Sequence, residues 1–181
     1  TLIHPRAIFL FFPFFADEMP ERKKIDDDKI RIGHSPTKRV SKGTDIILKI
    51  ISRLNENFDG KIETVLIEEM SYHEALRKKS ELDIFIDQLG ELGYGISSLE
   101  AMAMGIPCVV ELQPDFQRFL GKAPFVNADE HSLEDVLRTL IGSKQMRCEI
   151  GEVGKEWVRE IHKPTRSAEV IIENYHKADW I

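Results

Sequence analysis

Five short, almost wholly apolar runs recur along the chain with helical segments between them, and this alternation limits the fold more than any other feature. The runs fall at residues 30–33, 64–67, 82–87 (LDIFID), 107–111 and 125–127. Residues 44–58 set Ile46, Ile47, Ile50, Ile51 and Leu54 on one stripe with the period of an α-helix. A short polar helix is expected at 71–79. Another, rich in Ala and Met, is expected at 95–104 with Gly105 as its C-terminal cap. Pro114 opens a helix at 114–120. Residues 133–141 bring Leu133, Val136, Leu137, Leu140 and Ile141 to one face, with Ser132 and Asp135 resembling a capping pair, and two further helices close the chain. Strands alternating with helices build a parallel sheet covered on both faces, and strands buried on both sides are apolar throughout. The expected class is therefore α/β. Ligands in such sheets bind beyond the carboxyl ends of the strands, so the loops after Gly33, Ile67, Asp87 and Glu111 carry the functional question.

The chain has 181 residues, enough for one ordinary domain. The formal net charge of -6 argues against a dedicated nucleic-acid binder, which usually carries a basic surplus. Two cysteines, Cys108 and Cys148, are too few for a disulfide scaffold and fit a reduced, cytoplasmic setting. The run AIFLFFPFF at 7–15 is about half of what a membrane span needs and contains Pro13, so no transmembrane segment is expected. The charged stretch DEMPERKKIDDD at 17–28 reads as an exposed linker. The division expected is an apolar segment and linker at 1–28, then one domain at 29–181, the whole being a piece of something longer.

Two loops stand out. The first, HSPTKRVSKGTD at 34–45, places Lys38, Arg39 and Lys42 just before a helix N-terminus. Cations beside free backbone amides suit a phosphate, although such clusters are also common on plain surface loops. The second, at 90–105, has Gly93 and Gly95 flanking Tyr94, followed by Ser97, Ser98 and Glu100 as a helix begins. Glycines let a backbone approach a ligand closely. Glu100 has a bland reading, offsetting the helix dipole, and a sharper one, accepting hydrogen bonds from vicinal sugar hydroxyls. His34, at the end of the first strand, reads as a packed or capping residue. The remaining histidines and the cysteines have no metal-ligand spacing, and no metal is expected.

Taken together, SKGTDIILKIISRL at 41–54 and DIFIDQLGELGYGISSLEAMAMGIPCVVEL at 83–112 resemble the C-terminal, donor-binding domain of retaining GT-B glycosyltransferases of the group 1, or family 4, type. Lys42-Gly43 matches that family's Lys-Gly step into a helix. Gly93-Tyr94-Gly95 through Val109 matches its glycine loop and Leu-Glu-Ala-Met-Ala helix, and the closing helices with Tyr175 are also similar. The resemblance runs from about residue 29 to 177 and implies a Rossmann-like parallel sheet with helices on both faces, one half of a GT-B fold. It implies that Arg39 and Lys42 hold the donor diphosphate and stabilise it as a leaving group. The amides of Gly93, Tyr94 and Gly95 would face phosphate and sugar, with Ser97 beside them, and Glu100 would bind the ribose. The chain departs from the pattern in three places. Leu92 stands where the family often has a first glutamate, with seven residues between it and Glu100. Gly33-His34-Ser35 replaces the usual Gly-Arg-Leu, which passes the arginine role to Arg39. One strand, not two, separates the Lys42 helix from LDIFID.

The resemblance implies sugar transfer from a nucleotide-diphosphate donor, which is substrate and not cofactor. This chain would supply the donor half, and an N-terminal domain would supply the acceptor wall. The 181-residue chain alone is then expected to be inactive. The alternative is a non-catalytic nucleotide- or nucleotide-sugar-binding module. A receiver-like signalling domain would want acids at the end of the first strand, where this chain has His34 and lysines. Further expectations are self-association through 7–15, an exposed Lys42, and a cytoplasmic protein with the inner membrane face as an optional peripheral site.

Overall fold

The computed structural model describes residues 8–90 and 93–178. Ala7 of the apolar run and the pair Glu91 and Leu92, including the position of the missing glutamate, lie outside the described residues. Five strands form one parallel sheet: β1 (Ile30–His34), β2 (Ile62–Leu66), β3 (Ile84–Ile86), β4 (Cys108–Val110) and β5 (Val126–Asn127), in the order β2-β1-β3-β4-β5. The helices are α1 (Thr44–Asn57), α2 (Tyr72–Ser80), α3 (Ile96–Ala103), α4 (Pro114–Leu120), α5 (Leu133–Gly142), α6 (Lys144–Ile161) and α7 (Pro164–Lys177). This is the expected α/β Rossmann-like arrangement. From β1 the chain steps outward to β2 and then returns past β1 to β3. The strand order therefore reverses between β1 and β3, and the crevice beyond their carboxyl ends is where such sheets take ligands.

Side chains alternate between the two faces of each strand. Ile32, Ile84, Ile86 and Val109 face one layer, where Ile47, Ile50, Ile51 and Leu54 of α1 meet Leu133, Leu137 and Leu140 of α5. The stripe expected for α1 is the face that is buried, except that Ile46 is exposed. Phe85 and Cys108 face the other layer with Leu99, Met102 and Val158. Each fully buried Ile or Leu contributes about 1.5–3 kcal/mol by leaving water, so the two clusters hold the sheet edge to edge.

α3 and α6 approach backbone to backbone. Gly105 takes φ +75° and ends α3, its N–H donating to Met102 O at 2.9 Å, as the sequence suggested. A Cβ on Gly151 of α6 would stand 2.1 Å from the Gly105 carbonyl oxygen, so only glycine fits there. α2 begins with a full capping box, Ser71 and Glu74 bonding reciprocally.

The entrance to α5 differs from expectation. Ser132 makes no side-chain bond to the helix. The Asp129 carboxylate instead accepts from His131 N at 3.1 Å, Ser132 N at 2.8 Å and Ser132 Oγ at 2.6 Å. A carboxylate takes several donors at once, and here it closes the turn one step earlier than a Ser–Asp pair would.

Residues 8–15 form a strap, not a helix. Phe14 N donates to His162 O at 2.8 Å, and Ser167 Oγ donates to Phe11 O at 3.0 Å, tying the strap to the corner between α6 and α7. Phe14 and Ala16 are buried, while Ile8, Phe9, Phe12 and Phe15 stay exposed. No helix among the described residues is long and apolar enough to cross a membrane.

Candidate functional site

The two loops singled out from sequence leave the carboxyl ends of β1 and β3, strands that pair in the sheet. At their meeting point is Asp87, the residue just after β3, which is wholly buried. Its Oδ1 accepts from Lys42 Nζ at 2.9 Å. Its Oδ2 accepts from Gly95 N at 2.7 Å and from Ser98 Oγ at 2.6 Å. One carboxylate thus fastens the basic loop, the glycine loop and the first turn of α3 together. Gln88 extends the link: its Oε1 accepts a second hydrogen bond from Lys42 Nζ, and its Nε2 donates to Gly93 O.

Lys42 corrects an expectation. The sequence placed it in an exposed basic loop, yet only 9% of it is exposed. Gly43 takes φ +67° at the start of α1, a turn that non-glycine residues adopt at a cost. That turn sends Lys42 inward to Asp87. Arg39 goes elsewhere: its guanidinium pairs with Glu68, beyond the end of β2. The Glu68 carboxylate holds the guanidinium pKa above its ordinary value, and Arg39 in turn draws Glu68 below the usual carboxylate range. Arg39 and Lys42 leave the same end of the sheet but hold different carboxylates, so their convergence on one point is not seen in this state.

Glu100 is likewise engaged. It is 7% exposed and accepts from Lys79 Nζ at 2.5 Å. Lys79 is buried to 1% exposure and also donates to Ser97 Oγ at 2.7 Å. The side chain of Tyr94 points away from this cluster. Its ring lies 4.6 Å from that of Phe125, and its hydroxyl reaches His162 Nε2 at 3.0 Å. His162 Nδ1 stands 2.7 Å from the Phe12 carbonyl, which can only accept, so Nδ1 carries the proton and Nε2 accepts from Tyr94. Burial pushes the Tyr94 phenol pKa up and the His162 pKa down.

His34 is a packed residue, as its position suggested. Its Nδ1 donates to Ile86 O at 2.8 Å, which leaves Nε2 to accept from Thr44 Oγ1 at 2.9 Å. Burial lowers its pKa and keeps it neutral at physiological pH. Beyond Leu89 a shallow cavity of about 370 Å³ opens at the same end of the sheet, with Ile46, Gly90, Glu111 and Asp129 in its wall. Sequence reasoning missed Asp87, Gln88 and Lys79 as parts of the site, and named Ser98 without a role. For Asp87 a signal existed: a charged residue closing an apolar strand must meet either water or a partner.

The five-stranded sheet and its helices match solved structures. A TarM variant from S. aureus, solved with fondaparinux, alpha-GlcNAc-glycerol and UDP, matches at TM-score 0.65 and 14% identity, over 86% of this chain and 37% of its own length. The C-terminal domain of a group 1 glycosyl transferase, LpcC from Francisella tularensis, matches at TM-score 0.56 and 15% identity, over 86% of this chain and 97% of that domain. The fold is that of the C-terminal half of a GT-B glycosyltransferase. Sucrose-phosphate synthase from Thermosynechococcus elongatus shares this GT-B half at TM-score 0.60 and 14% identity, over 93% of this chain. The chain spans 37% of the TarM chain and 49% of the synthase chain. No family model matches the sequence, and no curated protein does. In the GT-B half described here, the site loops lie on the open crevice at the switch between β1 and β3.

Proposed function

We propose that this chain is the donor-binding half of a sugar-transferring enzyme, holding a nucleotide-diphosphate sugar at the carboxyl ends of β1 and β3. The observation that carries the reading is the union of the Lys42 loop, the Gly93–Gly95 loop and the start of α3 on Asp87 within a GT-B half-fold. An ammonium has three N–H donors. Two of those on Lys42 are taken by Asp87 and Gln88, and the third, with no further partner among the described residues, would meet a phosphate oxygen. Arg39 would join it by exchanging Glu68 for the donor. Positive charge set at a departing diphosphate is electrostatic catalysis, strongest when it is already in position. Glu100, fixed by Lys79, would take the ribose hydroxyls, with Ser97 beside it, and the Gly93, Tyr94 and Gly95 backbone would line the phosphate and sugar.

Transfer needs a second wall that positions the acceptor and excludes water. The proposed partner is therefore an N-terminal half, and the 181-residue chain alone is proposed to bind donor without transferring sugar. A second reading, a non-catalytic nucleotide-sugar-binding module, is favoured by one observation: both buried lysines of the site are already neutralised by carboxylates.

The test is a thermal-shift panel of UDP-, GDP- and ADP-sugars. A ligand that binds only the folded state raises the midpoint. One nucleotide class should do so in the wild type and less in Glu100→Gln. No shift from any donor at millimolar concentration sinks both readings. Joining the chain to an N-terminal GT-B half, covalently or in trans, then separates them, since transfer supports the enzyme and binding alone supports the module.

A further inference from the structure

At the amino-terminal ends of β1 and β3, the pole opposite the candidate site, the linker meets α6 around a cavity of about 270 Å³. Its wall carries six cations, Arg22, Lys23, Lys24, Arg31, Lys144 and Arg147, against three acids, Asp26, Glu81 and Asp83, in a chain whose formal net charge is -6. Three of the cations are matched. Arg22 pairs with Asp83 at 2.9 Å, Arg31 with Asp27 at 2.5 Å, and Lys23 reaches Glu81 at 4.0 Å. Lys24, Lys144 and Arg147 have no carboxylate within 4.0 Å among the described residues, and Asp26 alone is unpaired on the acidic side.

Arg147 decides what the cavity suits. It is only 6% exposed, and its Nη1 donates to the carbonyls of Leu140 and Ile141 at 2.6 and 3.0 Å. Those carbonyls fix the guanidinium but bring no negative charge to offset the cost of burying it. Burial pulls its pKa down; the charge of Asp83 opposes this, and the charge of Arg22 adds a smaller downward push. The cavity also adjoins the start of α6, an eighteen-residue helix with Lys144 in its first turn, where the helix dipole favours an anion. A guanidinium fork, flexible ammonium groups and a helix start together suit the several oxygens of a phosphoryl group. At about 270 Å³ the cavity has room for a phosphoryl group.

We propose that this cavity is a second, independent anion site that takes inorganic phosphate or the phosphoryl group of a small phosphomonoester, held by Arg147, Lys144 and Lys24. It is separate from the donor crevice and does not depend on the function proposed for that crevice.

The cavity carries its own reporter. Cys148 is exposed in its wall, whereas Cys108 is fully buried and silent to a thiol reagent. The experiment measures alkylation of Cys148 by neutral iodoacetamide in the intact chain, titrating inorganic phosphate at constant ionic strength with chloride. Alkylation should slow about tenfold at phosphate about ten times its dissociation constant, the share of free sites that mass action leaves. Lys24→Glu with Lys144→Glu changes two exposed side chains, and this variant should fold and lose the protection. A rate that follows only ionic strength overturns the site. Equal protection in the double variant also overturns it, because phosphate would then be acting elsewhere.

Discussion

The two ends of the same sheet treat their cations in opposite ways. At the carboxyl end Lys42 and Lys79 are buried, and each is matched by a carboxylate, Asp87 and Glu100. At the amino end Lys24 and Lys144 stand in solvent and Arg147 is buried, with no carboxylate on any of the three among the described residues. The first arrangement holds backbone elements in place, because removing one partner strands the other in low dielectric. The second costs the fold little at its exposed members and leaves charge free for a ligand. Position at a sheet end alone does not tell a structural cation from a binding one. A matched cation can bind only through a spare donor or by exchanging its carboxylate, whereas an unmatched one has its whole charge to offer.

The largest effect expected from this contrast is at Asp87. Asp87→Ala leaves Lys42 uncompensated and releases Gly95 N and Ser98 Oγ, at about 3–5 kcal/mol for breaking a buried pair. A urea titration checks it, and adding Lys42→Met should recover part of the loss. If Asp87→Ala is neutral, the carboxyl-end pair is not structural and the comparison fails. Lys42→Ala should also destabilise by more than a surface change, contrary to the expectation from sequence.

A smaller effect is expected with pH. His34 and His162 have pKa values lowered by burial. The unfolded chain then binds protons more readily than the folded one, so their contribution is fully present above the ordinary histidine pKa of about 6.5. It is lost as pH falls from there through the lower folded values. The urea midpoint should drop between pH 7 and 5, and less so in His34→Gln. A flat profile would show that neither imidazole is held neutral by burial.

At the other end, Lys24→Glu and Lys144→Glu should each shift stability by no more than about 0.5 kcal/mol, the usual scale for surface changes away from packed features. A loss comparable to that of Asp87→Ala would show that the amino-end cations are structural after all. Self-association, if it uses the strap, is the weakest effect. Truncation at Asp17 is a poor test, because it removes buried Phe14 and the carbonyls that hold His162 and Ser167. Phe12→Ser with Phe15→Ser alters only exposed rings, and sedimentation should show a lighter species than wild type.

The sequence by itself determined the layers. Apolar runs buried on two faces and helical stripes are local patterns, and β1 through α7 follow them closely. Strand bounds moved by a residue or two, and only the Ser132 cap was assigned to the wrong side chain. The glycine loop and α3 were legible because the segment 83–112 resembles the donor half of GT-B glycosyltransferases. The fate of each charge was decided by tertiary structure. Lys38, Arg39 and Lys42 read alike along the chain, and it is the positive φ of Gly43 that turns one of them in to Asp87 while Arg39 turns out to Glu68. The pairing of Lys79 with Glu100 joins residues 21 apart. The amino-end cavity gathers Lys24 from the linker with Lys144 and Arg147 from α6. Hydrophobic burial is non-directional and shows as a period in the sequence. An ion pair needs two particular atoms a few ångströms apart, and only the packed sheet settles which atoms those are.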